Sequence, residues 1–215
     1  FKVRAVSATG TPDSTPASHT WTVDTILPAA SISGLPTGPV SATSVTAALS
    51  CSEANCAFLC SVDGSALAGC SAPNVMSGLK DGDHTLKVSA VDEAGNEQAQ
   101  PAEGTFKTDT TPPAKPDAVK VTVIQNAPGS QDQVSGSAAS VEAGSSVRIY
   151  SDGLLTALIG GPQTADGSGA FPLFSIGDNK GDSIDLVYVV QIDLAGNQSA
   201  VQSLTNDKTS PAAAT

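Results

Sequence analysis

Charge, aromatic rings and long apolar runs are what this sequence has least of. Charged residues make up 14% of the 215, against about 25% in an average soluble protein. Basic residues are the scarcer half: 10 Lys and Arg stand against 21 Asp and Glu, a net charge of −11. A chain this acidic, with no Lys/Arg cluster, repels phosphate backbones, so no nucleic-acid partner is expected. No apolar stretch approaches the roughly 20 residues of a membrane-spanning helix. There is no signal peptide and no initiator Met. The opening FKVRAV reads as the middle of a strand, and the chain is expected to be a segment of a longer protein. Catalytic motifs are missing too: there is no G-x-S-x-G, no P-loop, no H-E-x-x-H and no Gly-rich fingerprint after a strand. The two histidines, His19 and His84, fall at strand starts, where exposed polar residues are ordinary. A nucleophile–His–acid set needs a His in a cleft. The chain is therefore expected not to be an enzyme.

What is present is small and β-forming. Ala, Ser, Thr, Val and Gly carry the chain, aromatics are only 4%, and no segment of a dozen residues has a helical period. That composition suits thin β-sandwiches with small cores better than helical bundles. Cys51, Cys56, Cys60 and Cys70 cluster in one short window. An even, clustered set points to disulfides and an oxidising compartment. A zinc site would show C-x2-C pairs, whereas the gaps here hold four, three and nine residues.

The chain repeats itself. FKVRAVSATGTPDSTPASHTWTVDTILP (1–28), LKVSAVDEAGNEQAQPAEGTFKTDTTPP (86–113) and LVYVVQIDLAGNQSAVQSLTNDKTSP (186–211) align, with Gly10, Gly95 and Gly196 in register. Asp24, Asp109 and Asp207 also correspond, and Trp21, Phe106 and Leu204 share one apolar slot. The glycine spacings, 95 − 10 = 85 and 196 − 95 = 101, match the roughly 100 residues of an immunoglobulin-like sandwich. Each repeat reads as an alternating strand, a Gly-containing loop, a second strand and an Asp-Thr-Pro exit. The fold class is therefore all-β: tandem immunoglobulin-like β-sandwiches preceded by a partial N-terminal hairpin. The expected division is a hairpin at 1–25, one domain at 26–110 and a second at 111–215. Strands are expected in ASISG near Ala30, at 43–50, 56–62 and 84–92 in the first domain. In the second they are expected from Val119, Gln133, Ser146, Phe171 and Ile184. Leu86, Val88 and Ala90 alternate onto one face. Proline in TDTTPPAKP (108–116) and VDTILP (23–28) restricts φ and favours stiff, extended joints. Most aromatics fall in strands and are expected in the core. Phe171 and Phe174, flanking Pro172, are also a candidate surface patch. A hairpin by itself is marginal in water, so the next domain or a neighbouring copy, through strand addition, is expected to cover the first one.

VDEAGN (91–96) followed by TDTTPP (108–113), and QIDLAGN (191–197) followed by NDKTSP (206–211), resemble the bacterial Ig-like repeats of large surface adhesins and secreted multidomain proteins. CSVDGSALAGCSAP (60–73) with SGLKDGDHTLKVSAVDEAGN (77–96) is similar to a subtype with a paired-cysteine hairpin. VSGSAASVEAGSSVRIYSDG (134–153) with IGDN (176–179) resembles a second subtype. The first hairpin departs from the pattern, with Ser7 where Asp92 stands and Thr11 where Asn96 stands. The resemblance implies a Cys60–Cys70 bridge, with Cys51 and Cys56 as a second pair around SEAN. Four cysteines allow three pairings, and residue spacing does not choose among them.

In such a sandwich the entering linker and two loops share one end. That brings together Asp24, Glu53, Asp92 and Asn96 at the first joint, and Asp109, Glu142, Asp193 and Asn197 at the second. Calcium takes six to eight oxygens, so each joint is a candidate calcium site and Ca²⁺ the one candidate cofactor. The other reading is that Asp and Asn beside Gly simply build turns. The resemblance implies a non-catalytic stalk or spacer in a bacterial surface or secreted adhesin-like protein, extracellular or at the cell surface. Its partners would be further repeats of the same polypeptide. The alternative is a module that recognises glycan or protein on a host or prey cell through end loops such as 77–84 and 176–182.

Overall fold

A computed structural model describes residues 1–124, 131–176 and 186–205, all of it strand, turn and loop, with no helix among the described residues. Segments 177–185 and 206–211, which hold most of the IGDNKGD loop and the NDKTSP exit with Asp207, lie outside the described residues. The chain forms two compact units, and the division runs through several strands.

The first unit comprises Phe1–Ser33, Ala48–Asn74 and Leu86–Gly104. Strand β1 (Lys2–Val3) pairs antiparallel with β2 (Ala17–Ser18). Strand β3 (Ala30–Ser33) pairs antiparallel with the end of a later strand, Ala30 opposite Cys51. Strand β4 (Pro39–Val40) belongs to the other unit, as does the start of β5 (Ser44–Cys51), which carries that cysteine. Strand β6 (Ala57–Val62) lies between β7 (Ala68–Cys70) and the long β9 (Gly82–Val91), with β8 (Asn74–Ser77) intervening in sequence. Asp63 and Gly64, with φ of 51° and 78°, form a tight turn closed by the Ser65 amide on the Val62 carbonyl (3.0 Å) at the start of the loop from β6 to β7. In β9 the alternation read from sequence is met: Leu86, Val88 and Ala90 are each 0% exposed.

The second unit comprises Gly34–Ala47, Val75–Thr85 and Thr105–Thr215. In it β4 pairs in parallel with β10 (Ala102–Thr108), Pro39 opposite Lys107. Two antiparallel sheets follow. One runs β11 (Val121–Ile124), β12 (Gln133–Gly136), β15 (Phe171–Ser175). The other runs β14 (Leu158–Thr164), β13 (Ser146–Tyr150), β16 (Leu186–Ile192), β17 (Gln202–Thr205). Val121, Val134 and Phe171 from the first sheet join Val147, Ile149, Val187, Val189 and Leu204 from the second in one buried core. Two sheets sharing a core are a β-sandwich.

The structure corrects two expectations about rings and decides between two readings of a third pair. Trp21 is 63% exposed and Phe1 72% exposed, because the β1–β2 ribbon has no second sheet packed on its face. Trp21 stacks on His19 instead. His84 is buried and stacks on Phe106, ring centroids 5.2 Å apart. Its Nε2 lies 2.7 Å from the Lys80 carbonyl, so a polar ring is buried with its hydrogen bond satisfied. Phe171 and Phe174 are no surface patch: the first is in the core and the second packs against it.

Candidate functional site

The repeated Asp-x-x-Gly-Asn motif forms the same loop twice. At the end of β9 the Asp92 amide donates to the Asn96 carbonyl (3.1 Å) and the Gly95 amide to the Asp92 carbonyl (3.2 Å). Gly95 closes the loop at φ +90°, and Gly196 does so in its counterpart at φ +93°, a region open to glycine at little cost. The Asp92 carboxylate then takes the Asn96 amide at 2.8 Å and the Asn96 Nδ2 at 2.7 Å. At the end of β16, Asn197 gives the Asp193 carboxylate the same two bonds, 2.8 and 2.9 Å. In the first hairpin Ser7 Oγ accepts from the Thr11 amide (3.0 Å), which keeps the loop but offers no side-chain amide.

That amide matters because it has a second proton. Asn96 Nδ2 donates to the Asp24 carbonyl at 3.1 Å, and Asn197 Nδ2 to the Asp109 carbonyl at 2.7 Å. Both carbonyls belong to the linker entering the loop's own sandwich. Both linker aspartates also make an Asx turn: Asp24 Oδ1 accepts from Ile26 (3.0 Å) and Asp109 Oδ1 from Thr111 (3.2 Å). Each linker is thus held at one chemically identical point. The Asp92 carboxyl is held below its ordinary range, chiefly by the Asn96 side chain.

Beyond this shared hook the joints differ. Two disulfides are present, Cys51–Cys56 and Cys60–Cys70, and no cysteine is free. Cys51–Cys56 closes the loop that carries Glu53. Cys60–Cys70 runs diagonally across β6 and β7, since Cys60 faces Ala68 and Cys70 faces Phe58. Ligand atoms of Asp24, Glu53 and Asp92 all lie within 4.8 Å of one another, the only such group among the described residues. Glu53 Oε1 is buried with no hydrogen-bond partner. Loss of solvent pushes the Glu53 carboxyl up, and repulsion by Asp24 and Asp92 adds to it. Three hard oxygen donors around an unsatisfied carboxylate are chemistry suited to a divalent cation. At the second joint Asp109, Glu142 and Asp193 form no such group, and Glu142 is exposed.

Sequence reasoning missed two glutamines that replace one another. In the first unit Gln98 Oε1 accepts from the amides of Ala30 (2.7 Å) and Ala90 (3.3 Å). In the second unit Gln191, at the position of Ala90, is 2% exposed; its Oε1 accepts from the Glu142 amide at 2.6 Å. Its Nε2 donates to the Ala114 carbonyl at 2.5 Å. The available signal was a polar residue amid the apolar run of LVYVVQI.

Glu53→Gln tests the charge crowding. A carboxyl whose folded pKa is raised favours the folded state at pH below its unfolded value and opposes it as pH rises through the folded value. In chelator at neutral pH, Glu53→Gln is expected to raise the melting temperature, and the gain is expected to vanish at pH 4. Equal melting of both proteins at both pH values would remove the crowding from the account.

No protein-family model matches the chain, and no curated protein matches it. Solved structures do resemble it, three of them as follows. One is SGBP-B of the Bacteroides ovatus mixed-linkage glucan utilization locus, in complex with a mixed-linkage heptasaccharide. It is 15% identical, with 85% of this chain and 48% of that one covered and a TM-score of 0.31. A 1.5-MDa bacterial ice-binding adhesin, solved for insight into host cell surface retention, is 16% identical over 85% of this chain and 64% of that one, with a TM-score of 0.34. A tetra-tandem repeat in the extending region of a large adhesion protein is 19% identical over 94% and 54%, with a TM-score of 0.30. The chain spans between about half and just under two thirds of those chains. At such scores the functional reading rests on this chain's own residues.

Proposed function

We propose that the chain is a run of tandem immunoglobulin-like repeats acting as a non-catalytic spacer in a bacterial surface or secreted adhesin-like protein. The observation that carries this is the repeated hook: Asn96 on the Asp24 carbonyl and Asn197 on the Asp109 carbonyl. A side chain spent on fixing each incoming linker serves the geometry of a joint and has no evident use in catalysis or ligand binding. The strand orders β11-β12-β15 and β14-β13-β16-β17 support the immunoglobulin-like assignment, since they follow the A-B-E and C′-C-F-G arrangement of such sandwiches. Two local disulfides fit an extracellular setting.

At the first joint a divalent cation, calcium by the oxygen chemistry of its donors, would be held by Asp24, Glu53 and Asp92. It would neutralise the carboxylates and stiffen the linker. Recognition of glycan is the second reading, favoured by one observation, the exposed Trp21 ring. The same slot is core in the two repeats that follow, with Phe106 5% and Leu204 8% exposed, which weighs against a sugar platform.

A glycan array probed with the whole chain, in calcium and in chelator, tests the choice. The spacer reading expects no saccharide to bind in either condition. Saturable binding that Trp21→Ala abolishes would overturn it.

A further inference from the structure

We infer that the second joint, residues 109–114, is closed by the protein's own side chains and needs no cation, unlike the first, where Asp24, Glu53 and Asp92 form the one three-carboxylate group among the described residues. This rests on the spacer reading and says how its joints are regulated.

The second linker is gripped at three further points besides its Asx turn. The Asp81 carboxylate accepts from the Thr110 amide at 2.8 Å, from the Thr110 hydroxyl at 2.7 Å and from the Thr111 hydroxyl. Both carboxylate oxygens are thereby engaged. The loop that presents Asp81 is itself anchored, because the Lys80 carbonyl receives the Thr108 hydroxyl at 2.5 Å and lies 2.7 Å from His84 Nε2. Asn197 takes the Asp109 carbonyl. Gln191 takes the Ala114 carbonyl with its amide nitrogen and the Glu142 amide with its oxygen.

Gln191 has no counterpart at its own position in the first repeat. It stands where the first repeat has Ala90, which has no polar side chain. By binding the Glu142 backbone it supplies a neutral brace where the first joint has a carboxylate cluster, and the Glu142 carboxylate is left on the exposed side. The Asp81 carboxylate is saturated by amide and hydroxyl donors, and the Gln191 bonds are neutral, so both form alike with and without metal. The first joint instead sets three carboxylates against one another, an arrangement that gains from a cation.

Amide hydrogen exchange by NMR on the whole chain, in calcium and in EGTA, tests this. In the wild type the Thr110 and Glu142 amides are expected to exchange at the same rates in both conditions. Asp81→Ala is expected to speed exchange at Thr110, and Gln191→Ala at Glu142, by roughly tenfold or more in both conditions. Protection at Val147 and Val189 should persist, which shows that the sandwich is still folded. Gln191→Glu retains an acceptor for the Glu142 amide and is expected to restore its protection. Should Gln191→Ala unfold the sandwich, Asp81→Ala, at an exposed residue, still decides. If EGTA alone deprotects Thr110 and Glu142 in the wild type, a cation closes this joint and the inference is overturned. That outcome would leave the spacer reading standing with two metal-braced joints, whereas glycan binding would overturn the spacer reading without altering these rates.

Discussion

Ile149→Ala is expected to cost the second sandwich about 3–4 kcal/mol, the largest effect of any single substitution considered. Ile149 is 0% exposed and sits in the middle of β13, opposite Val189 on one side and Gly160 on the other. Truncation removes three carbons, each worth about 0.8 kcal/mol of transfer free energy. It also leaves a cavity that neighbours held in strands fill only partly. In a domain of this size about 1 kcal/mol moves the midpoint by roughly 4–8 °C, so a fall of more than about 10 °C is expected by calorimetry. Ile149→Val, which drops one carbon, should cost only about 0.5–1.5 kcal/mol. A loss below about 1 kcal/mol for the alanine variant would mean that the two sheets do not share the core described.

Replacing Cys60 and Cys70 together by alanine should cost the first unit, which holds all four cysteines, about 2–3 kcal/mol, because the bridge closes a loop of sequence separation 10 and removes that closure entropy from the unfolded chain. The Cys51–Cys56 bridge, with a separation of 5, is worth about 2 kcal/mol by the same reasoning. Reduction of both is therefore expected to lower the first unit's midpoint by well over about 10 °C. The second sandwich has no cysteine, so its transition should not move. Loss of Cys51–Cys56 carries a second consequence, since it frees the loop that holds Glu53 near Asp24 and Asp92. A first-unit transition indifferent to dithiothreitol would contradict this account of what holds so small a core together.

Much of the fold is legible in the sequence because period-2 alternation is a direct image of one buried face. Residues 86, 88 and 90 showed it, β5 and β9 lie where alternation places them, and β6, β13 and β16 fall in the other segments read as strands. The strands that were missed are short or lack alternation. β4 is two residues long, and β14 carries Gly160, Gly161 and Pro162 at a sheet edge, where a missing amide donor is tolerated. His84 was misplaced because nothing local says that its ring lies on Phe106. The Asp-x-x-Gly-Asn loops were legible as a motif, since glycine fixes the turn and aspartate and asparagine supply its bonds. Which joint gathers its carboxylates was not legible. Both sequences offer an Asp, a Glu, an Asp and an Asn, and only the folded loops bring Asp24, Glu53 and Asp92 together.

On the proposed spacer reading, the two joints do one mechanical task by different chemistry. Asn96 and Asn197 supply a common neutral hook. At the second joint Asp81 and Gln191 complete the grip with hydrogen bonds from the protein's own side chains. At the first, the repulsion among Asp24, Glu53 and Asp92 makes the joint responsive to whatever neutralises it.

Small-angle X-ray scattering of the wild-type chain and of Asn197→Ala tests the spacer claim most directly. The account predicts an elongated wild-type particle and a broader, more flexible distance distribution once the Asn197 hook is lost, with both sandwiches still folded by calorimetry. A compact wild-type particle, or profiles that superpose for the two proteins, would contradict it.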